Sequence, residues 1–245
     1  MALADGPPRN GASTRMQWQA IVDFDGTISL DDTTDRILER FAAPGWETIE
    51  AEWVAGRIGS RECMERQIAL LRVSPDILDT FVDSFEIDWG FAFLVRVCQR
   101  HAVPVTVVSD GLDRTIHSVL RRTGLAGLPV IANHLESAGG DRWRLTSPHA
   151  SRDGSCVSGT CKCNVAQGLG RPATILVGDG RSDFCLAERA DLVFAKNGLI
   201  AHCRATGIEH HPFAQLADAA RLLDEMLTGT MPAIASHHLK DMIDG

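Results

Sequence analysis

The stretch Ala20-Ile21-Val22-Asp23-Phe24-Asp25-Gly26-Thr27 joins an apolar run to two carboxylates and a Gly-Thr turn. Asp23 and Asp25 are two residues apart, so they leave a strand on the same face. One carboxylate can attack a substrate while the other transfers the proton, and together they can hold a divalent cation. The stretch therefore predicts a buried strand that ends in a catalytic pair.

Other apolar, β-branched runs end in polar residues in the same way. They are Val103 to Val108 before Ser109-Asp110-Gly111, Thr174 to Val177 before Gly178-Asp179-Gly180, and Leu192 to Ala195 before Lys196-Asn197. Helical patterns cover about 88–101, 112–123, 182–190 and 213–227. This alternation predicts an α/β fold with a parallel sheet flanked by helices. Ligands bind beyond the carboxyl ends of such strands, where these polar residues should meet.

Residues 30–86 contain no convincing strand and are predicted to form four helices with clear start and stop signals. These run from about Asp32 to Ala42, from Trp46 to Val54, from after Ser60 to about Leu71, and onward from Pro75 with Ser74 as N-cap. An all-helical segment directly after the first strand predicts an inserted cap over the site. The expected catalytic core is then 18–29 plus 87–228, with a flexible tail at 1–17 and a C-terminal tail at 229–245.

Residues 130–146 predict a small β-hairpin. Its arms are Ile131 to Glu136 and Trp143 to Leu145, joined by a turn at Gly139-Gly140-Asp141.

Composition limits the classes of partner. The net charge of −8 argues against nucleic acid or an anionic membrane surface as the main partner. No apolar run approaches the roughly 20 residues that span a bilayer, and residues 1–17 lack the apolar middle of a signal peptide. We therefore expect a cytoplasmic protein without a membrane partner, whose oligomeric state the sequence leaves open.

The strand-end residues suit phosphoryl transfer, in which catalysis consists of positioning and charge stabilisation. Asp23 is the expected nucleophile, and Asp25 would protonate the leaving oxygen and then deprotonate water. Because the nucleophile and a phosphate are both anions, a cation is needed. Asp179 and Asp183 supply further hard oxygen ligands of the kind that suits Mg²⁺. We expect direct ligation by Asp23, Asp179 and the backbone carbonyl of Asp25, with Asp183 as an outer or water-mediated ligand.

Phosphate oxygens need donors and a positive charge. The hydroxyl of Ser109 and backbone N–H groups of the nearby turns are the expected donors, in the stretches Gly26-Thr27 and Ser109-Asp110-Gly111. Lys162 is the favoured cation in a chain that has three lysines, and Lys196 is its rival because it also follows a strand.

Cysteine usage leaves one question open. Of seven cysteines, Cys156, Cys161 and Cys163 lie close together in the sequence. They could ligate zinc, but they lack paired C-x-x-C spacing, and a loop that merely contains cysteines is the favoured alternative.

Taken together, the motifs resemble the haloacid dehalogenase superfamily. The residues that carry the resemblance are Asp23-x-Asp25-Gly26-Thr27, Ser109, Lys162 and Gly178-Asp179-x-x-x-Asp183. In that superfamily the second aspartate of the first motif implies a phosphatase rather than a dehalogenase. The resemblance therefore implies a Mg²⁺-dependent phosphatase with a Rossmann-like core. The helical insertion looks like the cap of the phosphoserine phosphatase branch.

Further stretches bear on the substrate, namely Phe41-Ala-Ala-Pro-x-Trp46, Arg66-Gln-Ile-Ala-Leu-Leu71, Gly159-Thr-Cys-Lys162 and Ala190-Asp-Leu-Val-Phe-Ala-Lys196. They resemble the phosphatases that act on 2-hydroxy-3-keto-5-methylthiopentenyl-1-phosphate. Phosphoserine and the phosphoethanolamine or phosphocholine class are alternatives. Phosphoserine phosphatases carry an acidic residue and an arginine in the cap that bind the amino acid. Asp32 falls near the acidic position, or it is only the N-cap of a helix. Arg66 and Gln67 fall near the arginine position.

Three other function classes remain as alternatives. An acceptor other than water would make the enzyme a phosphotransferase, and a phosphoprotein substrate is disfavoured because a bulky chain would prevent a cap from closing. A non-catalytic binding protein is least favoured, because Asp23, Asp25 and Lys162 are all present.

Overall fold

The computed structural model describes residues 17–154, 156–170 and 173–229. The strands there are β1 (Trp18–Val22), β2 (Val105–Leu112), β3 (Val130–Gly139), β4 (Arg142–Thr146), β5 (Ala173–Gly178), β6 (Leu192–Ala195) and β7 (His211–Pro212). The helices there are α1 (Thr33–Phe41), α2 (Trp46–Val54), α3 (Ser60–Ile68), α4 (Pro75–Val82), α5 (Gly90–Arg100), α6 (Asp113–Arg122), α7 (Lys162–Gly168), α8 (Phe184–Ala187), α9 (Asn197–Thr206) and α10 (Leu216–Thr228). Apart from Gln17 and Gly229, the tails expected at 1–17 and 229–245 lie outside the described residues.

The strands form one sheet in the order β4-β3-β2-β1-β5-β6-β7. All neighbouring pairs are parallel except β3 and β4. The predicted Rossmann-like α/β fold is therefore confirmed. Because β1 lies between β2 and β5, the residue that follows it, Asp23, lies at the centre of the carboxyl edge.

The two faces of β1 belong to two different hydrophobic clusters. Val22 packs in one cluster with Val107 and Val177, and Ile21 packs in the other with Leu176. Successive side chains of a strand point to opposite faces, and a parallel strand covered on both faces reads as a continuous apolar run. This explains why β1 shows no polar alternation.

The second strand differs from its predicted limits. It begins at Val105 rather than Val103, after Ala102 adopts a left-handed φ of 55°. It also continues to Leu112, past a register shift, because Leu112 still pairs with Asn133 of β3. Ser109 therefore lies within the strand and not in a turn after it.

The predicted hairpin forms, with its turn at Gly140 and Asp141 between the paired residues Gly139 and Arg142, and both glycines have positive φ. The hairpin is continuous with the core sheet. Its first arm is β3, which also pairs with β2. The hairpin contacts the helical segment as well, since Trp143 Nε1 donates to the Val73 carbonyl at 2.8 Å.

Four helices, α1 to α4, occupy the predicted insertion. Ser29 and Ile87 form an isolated bridge where the chain leaves the sheet and returns to it. The extent 30–86 as a separate domain stays a prediction. We call α1 to α4 and their connections the helical insertion.

Three elements were absent from the sequence-based prediction: α7, α9 and β7. Gly207, with a left-handed φ of 72° at the end of α9, is a helix-stop signal that could have revealed that helix. The helix expected over 182–190 is shorter, a 3₁₀ turn at Arg181–Asp183 followed by α8. Among the described helices, none has the length and apolarity needed to cross a membrane.

Candidate active site

Lys162 lies at the centre of the site and contacts several of its residues. It is the first residue of α7 and is fully buried. Its Nζ donates to Asp23 Oδ1 at 2.6 Å, to Ser182 Oγ at 2.9 Å, and to Asp183 Oδ1. A buried ammonium is stable only when it is paired in this way. Two carboxylates that are 160 residues apart in the sequence thus share one positive charge.

The rival lysine contacts the backbone of the first motif and not its carboxylates. Lys196 Nζ donates to the backbone carbonyl of Gly26 at 3.1 Å. Of the two lysines proposed from the sequence, Lys162 is the one placed against Asp23.

Three carboxylates converge beside Lys162. Asp23, Asp179 and Asp183 each offer an oxygen, and these atoms lie within 4.8 Å of one another. Burial raises the pKa of Asp23 well above its ordinary value; Lys162 opposes this, and the charges of Asp183 and Asp179 add to it. One lysine does not neutralise three carboxylates, so the donor set fits a hard divalent cation.

Backbone and amide donors orient this trio. Asp183 Oδ2 accepts from the N–H groups of Asp179 at 3.0 Å and Gly180 at 3.1 Å. Asp179 Oδ2 accepts from Asn197 Nδ2 at 3.1 Å. A Cβ at Gly26 would stand 2.5 Å from Asp179 Oδ2, so glycine is needed there for the motif loops to approach each other. The loops at the ends of β1 and β5 are therefore packed in direct contact.

Asp25 is held differently from Asp23. Its Oδ1 accepts from the backbone N–H of Thr33 at 2.8 Å and from Thr33 Oγ1 at 2.6 Å. Burial raises the pKa of Asp25 to about 8, and the neighbouring charge of Asp32 adds to the rise. Near neutral pH this carboxyl retains a proton, as a general acid must.

The expected phosphate donors lie along the same edge. Ser109 is buried, and its Oγ accepts from the Gly111 N–H at 2.9 Å. Gly111 has no room for a Cβ, which would meet both Asp25 and Ser109. The Thr27 hydroxyl is fully buried and has no hydrogen-bond partner among the described residues. Such an orphaned donor is unusual in a native interior and fits a polar ligand at this turn.

Asp110 differs from the other expected phosphate-binding residues. Its carboxylate accepts from Ser60 Oγ, from the Thr160 N–H and from Asn133 Nδ2. These contacts use the side chain to join other elements, so only the backbone of Asp110 is left for an anion.

The three residues singled out in the helical insertion have different surroundings. Asp32 is the N-cap of α1, where its side chain accepts from the Asp35 N–H, and its charge also reaches Asp25. Gln67 is buried and donates to Glu50 Oε2 at 2.9 Å. Arg66 pairs with Glu52 at 2.6 Å, so its charge is already neutralised within the insertion.

Four other residues belong to the surroundings of the site, and sequence reasoning gave them no role. They are Thr33, Glu50, Arg181 and Asn197. Asn197 comes two residues after the end of β6, next to Lys196, which is the same signal that identified the other strand-end residues. Thr33, Glu50 and Arg181 gave no such signal, because their contacts join distant segments.

The cysteines do not form a second ligand cluster. In the part of the chain that the structure describes, Asp23, Asp179 and Asp183 are the one set of three or more candidate ligands with atoms this close together. Cys161 and Cys163 are buried on either side of Lys162, and Cys156 is half-buried. The role of these three residues stays open.

Comparison with known proteins agrees with this site. Residues 20–188 match the family model of the haloacid dehalogenase-like hydrolases. The chain is 32% identical over 210 residues to the 2-hydroxy-3-keto-5-methylthiopentenyl-1-phosphate phosphatase of Geobacillus kaustophilus, which covers 83% of this chain and 94% of that protein. It is 32% identical over 209 residues to the protein of the same name from an Exiguobacterium species, covering 83% of this chain and 95% of that one.

Solved structures share the fold. A structure described as a phospho-aspartyl intermediate analogue of phosphoserine phosphatase superposes with a TM-score of 0.64, at 18% identity, over 85% of this chain and 99% of that one. A substrate-bound phosphoserine phosphatase complex superposes with a TM-score of 0.63, at 16% identity, over 85% and 98% of the two chains. Together with the family match and the curated relatives, these results show that the chain belongs to the haloacid dehalogenase-like hydrolases, as a phosphatase of that family.

Proposed function

We propose that this phosphatase is Mg²⁺-dependent and hydrolyses a small phosphate monoester through an aspartyl-phosphate on Asp23. The observation that carries the proposal is the junction of Lys162 with Asp23 and Asp183, with Asp179 within reach and Asp25 alongside. The substrate we propose is 2-hydroxy-3-keto-5-methylthiopentenyl-1-phosphate, which is the substrate in the names of the relatives.

The two aspartates of the first motif divide the chemistry. Asp23 attacks the phosphorus, so that a bond from its carboxylate oxygen to phosphorus forms as the ester P–O bond breaks. The leaving oxygen takes a proton from Asp25. In the second half of the reaction, Asp25 takes a proton from water, which attacks the same phosphorus and releases Asp23. The raised pKa of Asp25 suits the first step, and its hydrogen bonds from Thr33 keep it in place for the second.

Positive charge and donors must face the transferring phosphoryl group. Lys162 lowers the pKa of Asp23, which burial raises, and faces the place where charge develops. Ser109, the Thr27 hydroxyl, and backbone N–H groups of the Gly26-Thr27 turn and of the end of β2 supply hydrogen bonds. Mg²⁺ would be held by Asp23, Asp179, Asp183 and the Asp25 carbonyl, and when bound it neutralises part of the phosphate charge.

We expect Mg²⁺ to stabilise the protein as well as activate it. The ion relieves the repulsion among Asp23, Asp179 and Asp183, so the melting temperature should rise with Mg²⁺ concentration. At a Mg²⁺ concentration 100 times the dissociation constant, the free energy of unfolding should be higher by about 2.7 kcal/mol. Chelation with EDTA should abolish phosphate release, and Mg²⁺ should restore it. The Asp179→Asn variant should need at least about ten times more Mg²⁺ than the wild type to reach the same thermal shift.

The matched control for this titration is Asp218→Asn, which removes an exposed carboxyl of α10. It should keep the wild-type response to Mg²⁺. An equal thermal shift in Asp179→Asn and the wild type would rule out the carboxylate trio as the binding site.

The helical insertion bears on the substrate, and we propose that residues 30–86 form a cap over the core of 18–29 and 87–228. Asp32, Asp35 and Glu50 lie close enough for their charges to influence one another, and burial with these neighbours raises the pKa of Asp35 to about 7. An acidic cap repels a substrate that carries a carboxylate next to its phosphate ester. This supports an uncharged leaving group over phosphoserine, particularly because Arg66 is already paired with Glu52.

The test is phosphate release from a panel of esters at fixed Mg²⁺ concentration. The panel contains the methylthiopentenyl enol phosphate, phosphoserine, phosphoethanolamine and phosphocholine. We expect the enol phosphate to be preferred and phosphoserine to be at least about tenfold poorer in kcat/KM, the size of effect that one unfavourable charge contact produces. Asp32→Asn, which keeps a good N-cap, should reduce the difference in kcat/KM between the enol phosphate and phosphoserine. Asp31→Asn should leave this difference unchanged.

Other outcomes would lead to different conclusions. Preference for phosphocholine or phosphoethanolamine would assign the acidic residues to a cationic head group. Transfer of phosphate to an added alcohol, in place of release, would indicate a phosphotransferase.

We also propose a cytoplasmic location. All seven cysteines are free thiols, and five of them are buried. Reduced cysteines are typical of the cytoplasm, where thiols are kept reduced. Fractionation of cells that express the protein would check this location.

A further inference from the structure

The start of α3 joins the helical insertion to the core. Ser60 Oγ donates to Asp110 Oδ2 at 2.5 Å. The next residue, Arg61, donates its backbone N–H to the Val157 carbonyl at 3.2 Å. The preceding residue, Gly59, lies so close to Val157 that a Cβ at Gly59 would stand 2.8 Å from the valine Cβ. Three consecutive residues of the insertion therefore contact two separate segments of the core.

Asp110 carries this contact into the catalytic machinery. Its Oδ1 accepts from the Thr160 N–H at 2.9 Å and from Asn133 Nδ2 at 3.1 Å, and its backbone carbonyl also accepts from Asn133 Nδ2. Thr160 and Asn133 are fully buried. Asp110 directly follows Ser109, and Thr160 is two residues before Lys162. The Asp110 carboxylate thus connects β2, which carries Ser109, with β3, with the segment before Lys162 and with the helical insertion.

A second contact lies on another side of the insertion. Arg181, between Asp179 and Asp183, donates from Nη1 to the Trp53 carbonyl at 3.3 Å, and its Cζ lies 5.0 Å from the Trp53 ring centroid. Besides its contacts with the hairpin and with α6, the insertion therefore contacts two core segments that lie next to residues of the site.

We propose that Ser60 and Asp110 are positioning residues whose hydrogen bond holds the helical insertion closed and couples closure to the segment that carries Lys162. The inference rests on the proposed function, because closure matters only if a substrate is enclosed. An O–H group bound to a carboxylate is a strong, charge-assisted contact. Release of product from under a closed cap requires this contact to break and re-form in each cycle.

The chemistry of the pair suits this task. Asp110 keeps two donors within the core, Thr160 and Asn133, when Ser60 leaves, so the carboxylate never becomes an unpaired buried charge. Opening therefore breaks the Ser60–Asp110 bond together with the contacts of Arg61 and Arg181, and it leaves the buried network of Asp110 within the core intact. The closed state is favoured, yet it can be left on the timescale of catalysis.

The decisive variant is Ser60→Ala, compared with Ser60→Thr, which keeps the hydroxyl, and with Ser84→Ala. Ser84 is a matched control because its exposed hydroxyl bonds only to the Phe81 carbonyl nearby. A smaller closed fraction raises the apparent dissociation constant in proportion. In Ser60→Ala we expect KM for the preferred ester to rise about tenfold while kcat changes by less than about threefold.

The second measurement is hydrogen–deuterium exchange of the intact protein without substrate. In Ser60→Ala, the peptides that contain Arg61 and Thr160 should exchange about tenfold faster or more. Ser60→Thr and Ser84→Ala should exchange like the wild type. This readout needs no phosphatase activity, so it separates failure of the positioning role from failure of the proposed function.

Each result decides the question. Faster exchange at both segments together with a raised KM supports the proposal. Wild-type exchange in Ser60→Ala overturns it, and so does faster exchange with unchanged KM and kcat, because the bond would then be structural only. If the wild type releases no phosphate from any ester, the proposed function fails, and the exchange data still show whether the bond holds the insertion closed.

Discussion

Asp23→Asn is expected to lower phosphate release about 10⁴-fold or more, because an amide cannot attack phosphorus and no intermediate forms. The substitution is nearly isosteric, and Lys162 keeps its contacts with Asp183 and Ser182. The fold should therefore survive. Phosphate release and thermal unfolding, measured on the same preparation, check both parts of this expectation.

Asp31→Asn is the matched control, since Asp31 is an exposed aspartate of the same turn. It should keep activity within about twofold, as surface substitutions usually do. A direct sign of the intermediate is available in Asp25→Asn, where the second half-reaction is slowed. After acid quenching, the peptide that contains Asp23 should carry a phosphoryl group. An Asp23→Asn variant that retains a tenth of the activity would overturn the assignment of the nucleophile.

Lys162→Met is expected to damage stability and activity together. It removes the one ammonium between Asp23 and Asp183, leaving two buried carboxylates that repel each other. Breaking a buried pair of this kind costs about 3–5 kcal/mol of unfolding free energy, and loss of charge facing the phosphoryl group costs about 10²- to 10³-fold in kcat. Urea unfolding and steady-state kinetics at pH 7 measure the two effects.

The loss of stability should depend on pH in a defined direction. Lys162 lowers the pKa of Asp23, which burial raises, so its removal lets that pKa rise further. The folded variant then binds a proton that the unfolded chain lacks, and its stability relative to the wild type should recover as pH falls from 7 towards 4. Lys196→Met is the matched control, since it removes a lysine bound to one carbonyl. A larger loss of activity in Lys196→Met would exchange the proposed roles of the two lysines.

The architecture could be predicted because its signals are local. Apolar runs that end in polar residues marked β1, β2, β5 and β6, and the glycine turn after β3 marked the hairpin. The continuation of β2 through Ser109 could not be predicted, since it depends on pairing between Leu112 and Asn133. Local sequence does not record which distant strand a residue will find.

The same limit explains the candidate site. The strand-end rule placed Asp23, Asp179 and Ser109 at one edge, because the carboxyl ends of parallel strands lie together. It gave no information on side-chain partners. The carboxylate of Asp110 binds the helical insertion, and Arg66 pairs with Glu52, because each contact joins segments that meet only after folding. The catalytic roles assigned to these residues remain predictions for the experiments above.

The central position of β1 has a consequence for how the protein is made. Its neighbours in the sheet are β2 and β5, whose paired residues begin at Val105 and Ala173. During synthesis from the N-terminus, an apolar strand with two open edges therefore leaves the ribosome long before either partner exists. Pairing over such sequence separations is slow and exposes the chain to aggregation. Nascent chains that stop before residue 173 should consequently depend on chaperones, and no form of this protein that ends before β5 should assemble the site.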